Sequence, residues 1–220
     1  MTQPARGPGA GGPGGLALAV GLAAAQAAFA QTIRGPRPRF WQRMTLTGVA
    51  LGGYALSASR ASRRVRIGPG EVILGLASAA ALYATFQAGD RFARRFVPGG
   101  EAQVRDIYAL RTLRPRAEIA ARLVAVIGPA EELFWRGLVQ AGFMRRLGRW
   151  RGAAAGAAAY GGVHLVTGNF TLFGAAGIAG AHWAALYALG VPMGALIVSH
   201  AAWDVWIFLL QPTISDEASA

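Results

Sequence analysis

Long apolar runs alternate along the chain with short segments rich in arginine. A helix that crosses the hydrocarbon core of a bilayer needs about 20 apolar residues, with a range of roughly 17–25. Windows of this length predict an all-α polytopic membrane protein with about seven transmembrane helices, and a count of six or eight also fits the pattern. The predicted spans are Leu16–Ile33, Met44–Ser59, Val72–Ala88, Ala117–Leu147, Gly152–Val166, Phe170–Leu189 and Pro192–Leu210.

The same pattern divides the chain into four parts. Residues 1–15 form a tail rich in Gly and Pro that cannot bury a core, so we expect it to be disordered. Residues 16–115 hold the N-terminal transmembrane helices and an arginine-rich connector, in which Glu101–Leu113 is predicted to lie at the membrane interface as an amphipathic helix. Residues 116–210 hold the last four spans, and residues 211–220 form a polar tail.

One predicted helix, Ala117–Leu147, contains a helix-breaking pair at Gly128-Pro129. Proline removes one hydrogen bond of the helix and loosens the turn that follows. Inside a membrane such a defect is tolerated where protein or trapped water satisfies the freed carbonyl. Glu131 and Glu132 come directly after this pair, so the predicted interruption lies beside two acidic residues at membrane depth.

Composition agrees with a membrane protein. Hydrophobic residues make up 54% of the chain, whereas the apolar share of a soluble globular domain is about 45–50%, so a water-soluble globule is disfavoured. The absence of cysteine excludes a disulfide framework, a thiolate nucleophile and a cysteine-type zinc site. All 22 basic residues are arginine, which together with the abundant Ala and Gly is typical of a GC-rich bacterial genome. We therefore expect a multi-pass protein of a bacterial plasma membrane.

The net charge of +12 does not predict a nucleic-acid partner, because the arginines form no single face. They fall in clusters between the apolar runs, as expected for residues that flank membrane spans. With seven spans the arginines divide almost evenly between the two sides, so the positive-inside rule leaves the orientation open. The clusters are Arg34 to Arg43, Arg60 to Arg66, Arg91 to Arg116, and Arg145 to Arg151.

Ionisable residues at membrane depth indicate where chemistry takes place. A charge at the centre of a bilayer costs at least about 2.5–3.5 kcal/mol, so such residues need a function or a partner. All three histidines of the chain belong to this group. Its members within the last four spans are Glu131, Glu132, Arg136, His164, His182, His200 and Asp204.

Glu131 and Glu132 are expected to have different roles. Glu132 and Arg136 are four residues apart on one helix face, so they can form an ion pair that holds the helix. Glu131 points about 100° away and has no counter-charge on its own helix. It is therefore the available carboxylate and a candidate general base acting on water, although a hydrogen-bonded buried acid is the structural alternative.

The histidines allow several interpretations. Asp204 follows His200 by four residues, so its carboxylate can orient the imidazole or join it as a metal ligand. Taken singly, His164 and His200 are as consistent with hydrogen bonding between helices as with catalysis, but together with the two glutamates they favour a site. His182 lies in a stretch of small residues next to Trp183, and packing or an interfacial hydrogen bond is the favoured interpretation.

Three motifs carry a family resemblance. The segment G-P-A-E-E-L-F-W-R-G at Gly128–Gly137 resembles the Glu-Glu-x-x-x-Arg motif of the CAAX-type prenyl-protein endopeptidases, the CPBP or Abi group of intramembrane proteases. Y-G-G-V-H at Tyr160–His164 is similar to the Phe-x-x-x-His motif, with Tyr in place of Phe. H-A-A-W-D at His200–Asp204 is similar to His-x-x-x-Asn/Asp. Motif order and placement on three spans agree, and the resemblance covers Arg116–Leu210.

The resemblance implies a catalytic core in the last four helices and hydrolysis of a peptide bond by a glutamate-activated water. Glu131 would be the general base, and His164 would help to bind and polarise the water. Glu132 and Arg136 would support Glu131 and fix the helix. His200 and Asp204 would face the developing oxyanion. An ionised aspartate cannot donate a hydrogen bond, so Asp204 is either protonated or serves to orient His200.

The resemblance also bears on cofactors and partners. The family has been labelled metalloprotease, and a zinc ion held by Glu131, His164, His200 and Asp204 is conceivable, but no H-E-x-x-H pair is present and the glutamate mechanism needs no ion. We favour no cofactor. The implied partners are the lipid bilayer and a membrane-anchored peptide or protein substrate, and the sequence does not choose among peptide maturation, bacteriocin immunity and processing of sorting tails.

Two other classes of function fit buried Glu, His and Arg. A proton- or ion-linked transporter would be expected to show internal repeats or broken helices in matching halves, and the chain shows no repeat. A catalytically silent membrane scaffold, such as a bacteriocin-immunity protein, would have no reason to keep the charge of Glu131. Both alternatives rank below the protease.

Overall fold

The computed structural model of the chain describes residues 13–96 and 99–212. All regular structure in these two ranges is helical, which confirms the predicted all-α fold class. The predicted tails at 1–15 and 211–220 lie outside the described residues, apart from residues 13–15 and 211–212.

Ten α-helices make up most of the described chain. They are α1 Gly15–Arg34, α2 Phe40–Ala58, α3 Pro69–Phe96, α4 Gly100–Tyr108, α5 Arg116–Arg122, α6 Gly128–Phe134, α7 Ala141–Leu147, α8 Arg149–Val163, α9 Phe170–Leu189 and α10 Met193–Val205. Short 3-10 segments lie at Arg37–Arg39, Ala109–Leu113 and His164–Thr167. Three π-helical turns lie at Leu123–Ile127, Trp135–Gln140 and Trp206–Leu210.

Four helices of the described residues are long and apolar enough to cross a membrane. They are Gly15–Arg34, Pro69–Phe92, Phe170–Leu189 and Met193–Leu210. Each coincides with a predicted span, so an integral, multi-pass membrane protein is confirmed, whereas the count of seven is not. The remaining predicted spans are helical but shorter or more polar: α8 has 15 residues, and the helix that contains α6 carries Glu131, Glu132 and Arg136.

The chain from Arg116 to Leu147 follows one continuous helical path in which α5, α6 and α7 are joined by π-turns. The first π-turn ends where the Gly128 amide donates to the carbonyl of Leu123, five residues earlier. A wider turn here removes the crowding that the Pro129 ring imposes on the carbonyl four residues before it. The helix predicted to be interrupted at Gly128-Pro129 is therefore continuous, with one π-turn before α6 and one after it.

Close backbone packing fixes α6 between α2 and α10. A Cβ placed on Gly52 of α2 would lie 3.0 Å from Cβ of Ala130, and one placed on Gly128 would lie 3.3 Å from Cα of Ala201 in α10. Both distances are shorter than most Cβ contacts in proteins, so a side chain at either position would force the neighbouring helix to shift by a few tenths of an ångström. The approach of α10 to α6 brings the two glutamates of α6 next to His200.

The helix α4 packs against the beginning of α9 and against the π-turn that follows α10, close to the position predicted for an amphipathic helix. Val104 and Tyr108 are its buried apolar face and pack with Phe208. The Tyr108 hydroxyl donates to the carbonyl of Ile207 over 3.0 Å. The Gln103 side chain accepts from the Thr171 amide at 2.8 Å, which ties α4 to the first turn of α9. The predicted segment Glu101–Leu113 is thus helical almost throughout.

Candidate active site

Glu131 lies in α6 and is buried, with 8% of its surface exposed. Its Oε2 accepts a hydrogen bond from the hydroxyl of Tyr160 in α8 at 3.1 Å. The same oxygen lies 3.9 Å from Nε2 of His200 in α10. Glu131 has no counter-charge on its own helix, as predicted, but it meets side chains from two other helices.

Glu132 is fully buried, and one of its carboxylate oxygens contacts both Arg136 and His200. Its Oε1 accepts from Nη1 of Arg136 at 3.0 Å, which confirms the predicted ion pair one helical turn apart. The same Oε1 lies 2.7 Å from Nδ1 of His200. A carboxylate only accepts hydrogen bonds, so Nδ1 of His200 carries a proton and donates it to Glu132. The glutamate therefore holds the motif arginine and the motif histidine together.

His200 presents its other nitrogen to the remaining acidic residues. Nε2 lies 3.9 Å from Glu131 and 3.7 Å from Oδ2 of Asp204, which is one turn further along α10. Both distances exceed a direct hydrogen bond. Glu132 therefore orients the imidazole. Asp204 does not orient it, although orienting His200 was one of the two roles expected for this aspartate. Asp204 lies beside Nε2 without a direct hydrogen bond to it, and its other expected role, as a protonated donor to the oxyanion, stays a prediction.

Aromatic rings enclose this group of charges. The indole of Trp183 in α9 stacks on the His200 ring with centroids 4.0 Å apart and an interplanar angle of 17°. The Arg136 guanidinium lies 5.2 Å from the Trp183 ring and 4.8 Å from the Tyr160 ring, which are cation–π distances. Its Nη2 also donates to the carbonyl of Gly180. Arg136 is therefore fixed by its ion pair with Glu132, by two aromatic rings and by a backbone carbonyl.

His164 stands at the end of α8, where the helix tightens into a 3-10 turn. Its Nδ1 donates to the carbonyl of Tyr160 at 2.9 Å, because a backbone carbonyl can only accept. The ring packs between Phe29 and Tyr160, with centroid distances of 5.4 and 5.2 Å. His164 lies close enough to Glu131 and His200 to interact with them electrostatically. Hydrogen bonding of Nδ1 in the helix leaves Nε2 as the atom available to a ligand.

A narrow cavity reaches Glu131 from the side of α1 and α2. Thr47, Phe29 and Ala130 line it together with the glutamate. Its free volume of about 10 Å³ is close to the space that a single water molecule requires. The cavity thus matches one small molecule beside the carboxylate.

Within residues 13–96 and 99–212, no three His, Cys, Asp or Glu side chains are grouped so that they could hold a metal ion. Nδ1 of His200 donates to Glu132 and Nδ1 of His164 to a backbone carbonyl, so Nε2 is the nitrogen of each ring that could bind an ion. The absence of a metal requirement stays a prediction, which activity in the presence of a chelator tests.

His182 lies apart from this group. Its Nε2 is 2.9 Å from the hydroxyl of Ser78 in α3, and that hydroxyl is 2.8 Å from the hydroxyl of Ser199 in α10. Ser199 also accepts from Nε1 of Trp183 at 3.0 Å. The interpretation of His182 as an interfacial hydrogen-bonding residue is therefore confirmed.

Two residues that the sequence did not single out belong to the site. Tyr160 binds Glu131, and Trp183 stacks on His200. A signal existed for Tyr160, since tyrosine replaces the phenylalanine of the second motif and adds a hydroxyl. No signal marked Trp183, because its contact with His200 depends on the packing of α9 against α10.

Comparison with known proteins supports the resemblance. Residues 116–206 match the family model described as type II CAAX prenyl endopeptidase Rce1-like. The match includes all three motifs, from Glu131 to Asp204, so the predicted relationship to the CAAX-type endopeptidases is confirmed for this segment. No curated protein and no solved structure matches the chain significantly.

Proposed function

We propose, from the similarity of residues 116–206 to the type II CAAX prenyl endopeptidases, that this chain is an intramembrane endopeptidase that uses a glutamate-activated water. The observation that carries the proposal is the approach of His200 Nε2 to Oε2 of Glu131 at 3.9 Å. The cavity the size of one water molecule lies on the α1–α2 side of the same glutamate and is not lined by His200. A base and a potential hydrogen-bond donor thus lie side by side. That is the minimum needed for hydrolysis of an amide.

Glu131 acts as the general base in this proposal. Its Oε2 accepts from Tyr160, and Oε1 is left to accept a proton from water. As the water oxygen bonds to the carbonyl carbon of the substrate, its proton passes to Glu131. The tetrahedral intermediate then loses its C–N bond, and Glu131 returns the proton to the leaving amine. Acid and amine products result, and the carboxylate is regenerated.

His200 stabilises the oxyanion. Glu132 accepts from Nδ1 of this ring, and Glu131 and Asp204 lie 3.9 and 3.7 Å from its Nε2. A protonated Nε2 can donate to the oxygen of the tetrahedral intermediate. Stacking on Trp183 fixes the plane of the ring and so the direction of that donor.

His164 is proposed to bind and polarise the water, as the resemblance implies. Its Nδ1 is fixed by the carbonyl of Tyr160, so Nε2 of the neutral ring is an acceptor. Glu132 and Arg136 position the other groups and do not touch the substrate. The substrate is a membrane-anchored peptide or protein, no nucleic acid takes part, and the expected location is a bacterial plasma membrane.

The test is cleavage of a panel of membrane-anchored peptides by the purified full chain in detergent. Glu131→Gln keeps the size of the side chain and removes the base, so we expect cleavage to fall by at least about a hundredfold. Glu118→Gln is the matched control, because Glu118 pairs with Arg122 and lies about 20 Å before Glu131 on the same helical path. It should leave the rate unchanged.

Repeating the assay in a chelator separates two mechanisms. Activity that survives chelation and vanishes in Glu131→Gln supports a metal-free, glutamate-dependent protease. Loss in chelator, restored by added zinc, would replace this mechanism with a metal-dependent one. Equal cleavage by wild type and Glu131→Gln would contradict the role of Glu131. Ion flux that depends on Glu131, with no cleavage of any peptide, would favour the transporter.

A further inference from the structure

One buried hydrogen-bond donor beside Glu131 has no protein acceptor. Trp135 follows Glu131 by four residues and is 2% exposed. Its indole Nε1 makes no hydrogen bond to any residue within 13–96 and 99–212. Most buried polar groups of folded proteins are hydrogen-bonded, because a polar group removed from water without a partner destabilises the fold. The indole N–H therefore needs an acceptor that the described part of the chain does not supply.

Trp135 lies on the same face of its helix as Glu131. The backbone N–H of Trp135 donates to the carbonyls of Glu131 and Glu132, so the helix continues between the two positions. Residues four apart in a helix are neighbours on one face. Both side chains also line the narrow cavity on the α1–α2 side of α6. The indole and the candidate general base therefore border the same small space.

The lining of this cavity is suited to one water molecule. The free volume of about 10 Å³ is close to the space that one water requires. Strong donors or acceptors in the lining are the Glu131 carboxylate, the Thr47 hydroxyl and the Trp135 indole. A buried water forms about two to four hydrogen bonds, so these groups can satisfy one water.

Aromatic contacts fix the indole ring of Trp135. It packs edge to face on Phe29 and on Tyr160, with ring centroids 6.4 and 5.5 Å away. His164 packs on the same two rings, with centroids 5.4 and 5.2 Å away. The tryptophan and the histidine of the second motif thus share two neighbours. A ring held in this way keeps the direction of its N–H.

An indole donor complements the groups already proposed to bind the water. A water molecule has two protons to donate and two lone pairs that accept. Glu131 and the neutral Nε2 of His164 are acceptors, so they can take the two protons. An indole N–H only donates, so Trp135 can bind one lone pair. The second lone pair is then left to attack the carbonyl carbon of the substrate.

We infer that the indole N–H of Trp135 donates a hydrogen bond to the water that Glu131 activates. Negative charge grows on the water oxygen as its proton passes to Glu131, and a fixed N–H stabilises that charge. The oxygen bonds to the carbonyl carbon of the substrate, and Trp135 keeps its own proton throughout. The inference rests on the proposed function and adds a catalytic residue at an unspecified position of the Glu-Glu-x-x-x-Arg motif.

Trp135→benzothienylalanine, introduced at a single codon, tests the inference. This side chain has nearly the shape of tryptophan and carries sulfur in place of N–H, so the packing is retained. We expect kcat to fall roughly tenfold to a hundredfold with KM unchanged, because the donor acts on charge that grows in the transition state. The solvent isotope effect on kcat should rise as proton abstraction slows. The unfolding temperature should change little, since Nε1 has no acceptor to lose among the described residues.

The same replacement at Trp41 is the matched control. Trp41 is also buried, and its Nε1 donates to the carbonyl of Leu110 at 2.9 Å. It does not line the cavity beside Glu131. The Trp41 variant should therefore unfold at a lower temperature and keep the kcat of wild type, which is the reverse of the pattern expected at position 135.

Three results overturn the inference. An unchanged kcat in the Trp135 variant removes the donor from the reaction. A rise in KM alone assigns the N–H to substrate binding. A lower unfolding temperature with wild-type kcat makes Trp135 a structural residue.

A readout without turnover separates this inference from the proposed function. In the full chain labelled with ¹⁵N-tryptophan, the indole proton that disappears in Trp135→Phe should show a nuclear Overhauser effect to water. Absence of this signal overturns the inference. Its presence in a chain that cleaves no peptide overturns the proposed function and leaves the bound water standing.

Discussion

Glu132 accepts a hydrogen bond of 2.7 Å from Nδ1 of His200, a residue 68 positions away on another helix. The same carboxylate oxygen binds Arg136. One side chain thus fixes both the ion pair of the first motif and the ring of the third. The consequence is that Glu132 controls the direction of His200 Nε2, the nitrogen that faces Glu131.

Glu132→Gln should impair both folding and activity. The amide keeps the size of the side chain but removes the charge that neutralises the buried Arg136. Breaking a buried ion pair from one side costs about 3–5 kcal/mol, so thermal unfolding in detergent should shift markedly to lower temperature. Activity should fall by more than the folded fraction explains, because His200 loses its anionic partner.

A second variant separates the two effects of Glu132. Glu132→Gln combined with Arg136→Met removes the unpaired charge and should recover part of the lost stability. Activity should stay low, since the Glu132 carboxylate remains absent. Recovery of full activity in the double variant would show that Glu132 serves folding alone.

Tyr160→Phe tests the hydroxyl that binds Glu131. Phenylalanine keeps the ring that packs on Arg136 and His164 and removes one hydrogen bond. We expect kcat to fall by up to about tenfold and the free energy of unfolding to fall by about 1 kcal/mol. The chain should remain active, because the family motif has phenylalanine at this position. Tyr187→Phe, away from Glu131, is the control for loss of a hydroxyl.

Sequence reasoning predicted well what depends on a single helix. The bounds of α9 at Phe170–Leu189 match the predicted span, and the Glu132–Arg136 pair follows from spacing alone. Hydropathy and helical periodicity act within one segment, so they report these features directly. They also identified Glu131 as the carboxylate without a partner on its own helix.

Contacts between helices were not predictable in the same way. Nothing local indicates that Glu132 rather than Asp204 orients His200, or that Trp183 stacks on that ring. Both follow from close packing of α6, α9 and α10. The π-turns beside α6 were missed for a related reason, since Pro129 indicates a defect in the helix without specifying its geometry.

Asp204→Asn should retain activity within about threefold of wild type. The third motif accepts Asn or Asp, and an amide at this position can donate to the oxyanion that His200 also faces. Asp204→Leu, which has neither charge nor donor, should lose at least about tenfold in kcat. The comparison uses initial rates of peptide cleavage. Equal rates for the aspartate and leucine forms would remove Asp204 from the site.

Trp183→Leu should lower kcat with little change in KM. The substitution removes the ring that stacks on His200 and contacts the Arg136 guanidinium, so the oxyanion donor loses its fixed plane. The substrate itself is not touched, and ground-state binding should persist. Trp150→Leu, at a tryptophan that is 57% exposed, is the matched control and should behave as wild type. A rise in KM alone would place Trp183 in substrate binding instead.

Gly52→Ala tests the contact that positions α6. The new methyl group would lie 3.0 Å from Cβ and 3.2 Å from Cα of Ala130, so α6 must move away from α2. Overpacking of this kind costs about 1–3 kcal/mol and should reduce cleavage, because Glu131 follows Ala130 directly. The matched control is Gly53→Ala, one position further along α2, where an added Cβ would meet nothing within 4 Å. Since alanine is favoured over glycine in a helix by about 0.5–1 kcal/mol, that variant should be as stable as wild type or more so. If both variants unfold at the wild-type temperature and cleave at the wild-type rate, the close approach of α2 to α6 does not set the position of the glutamate.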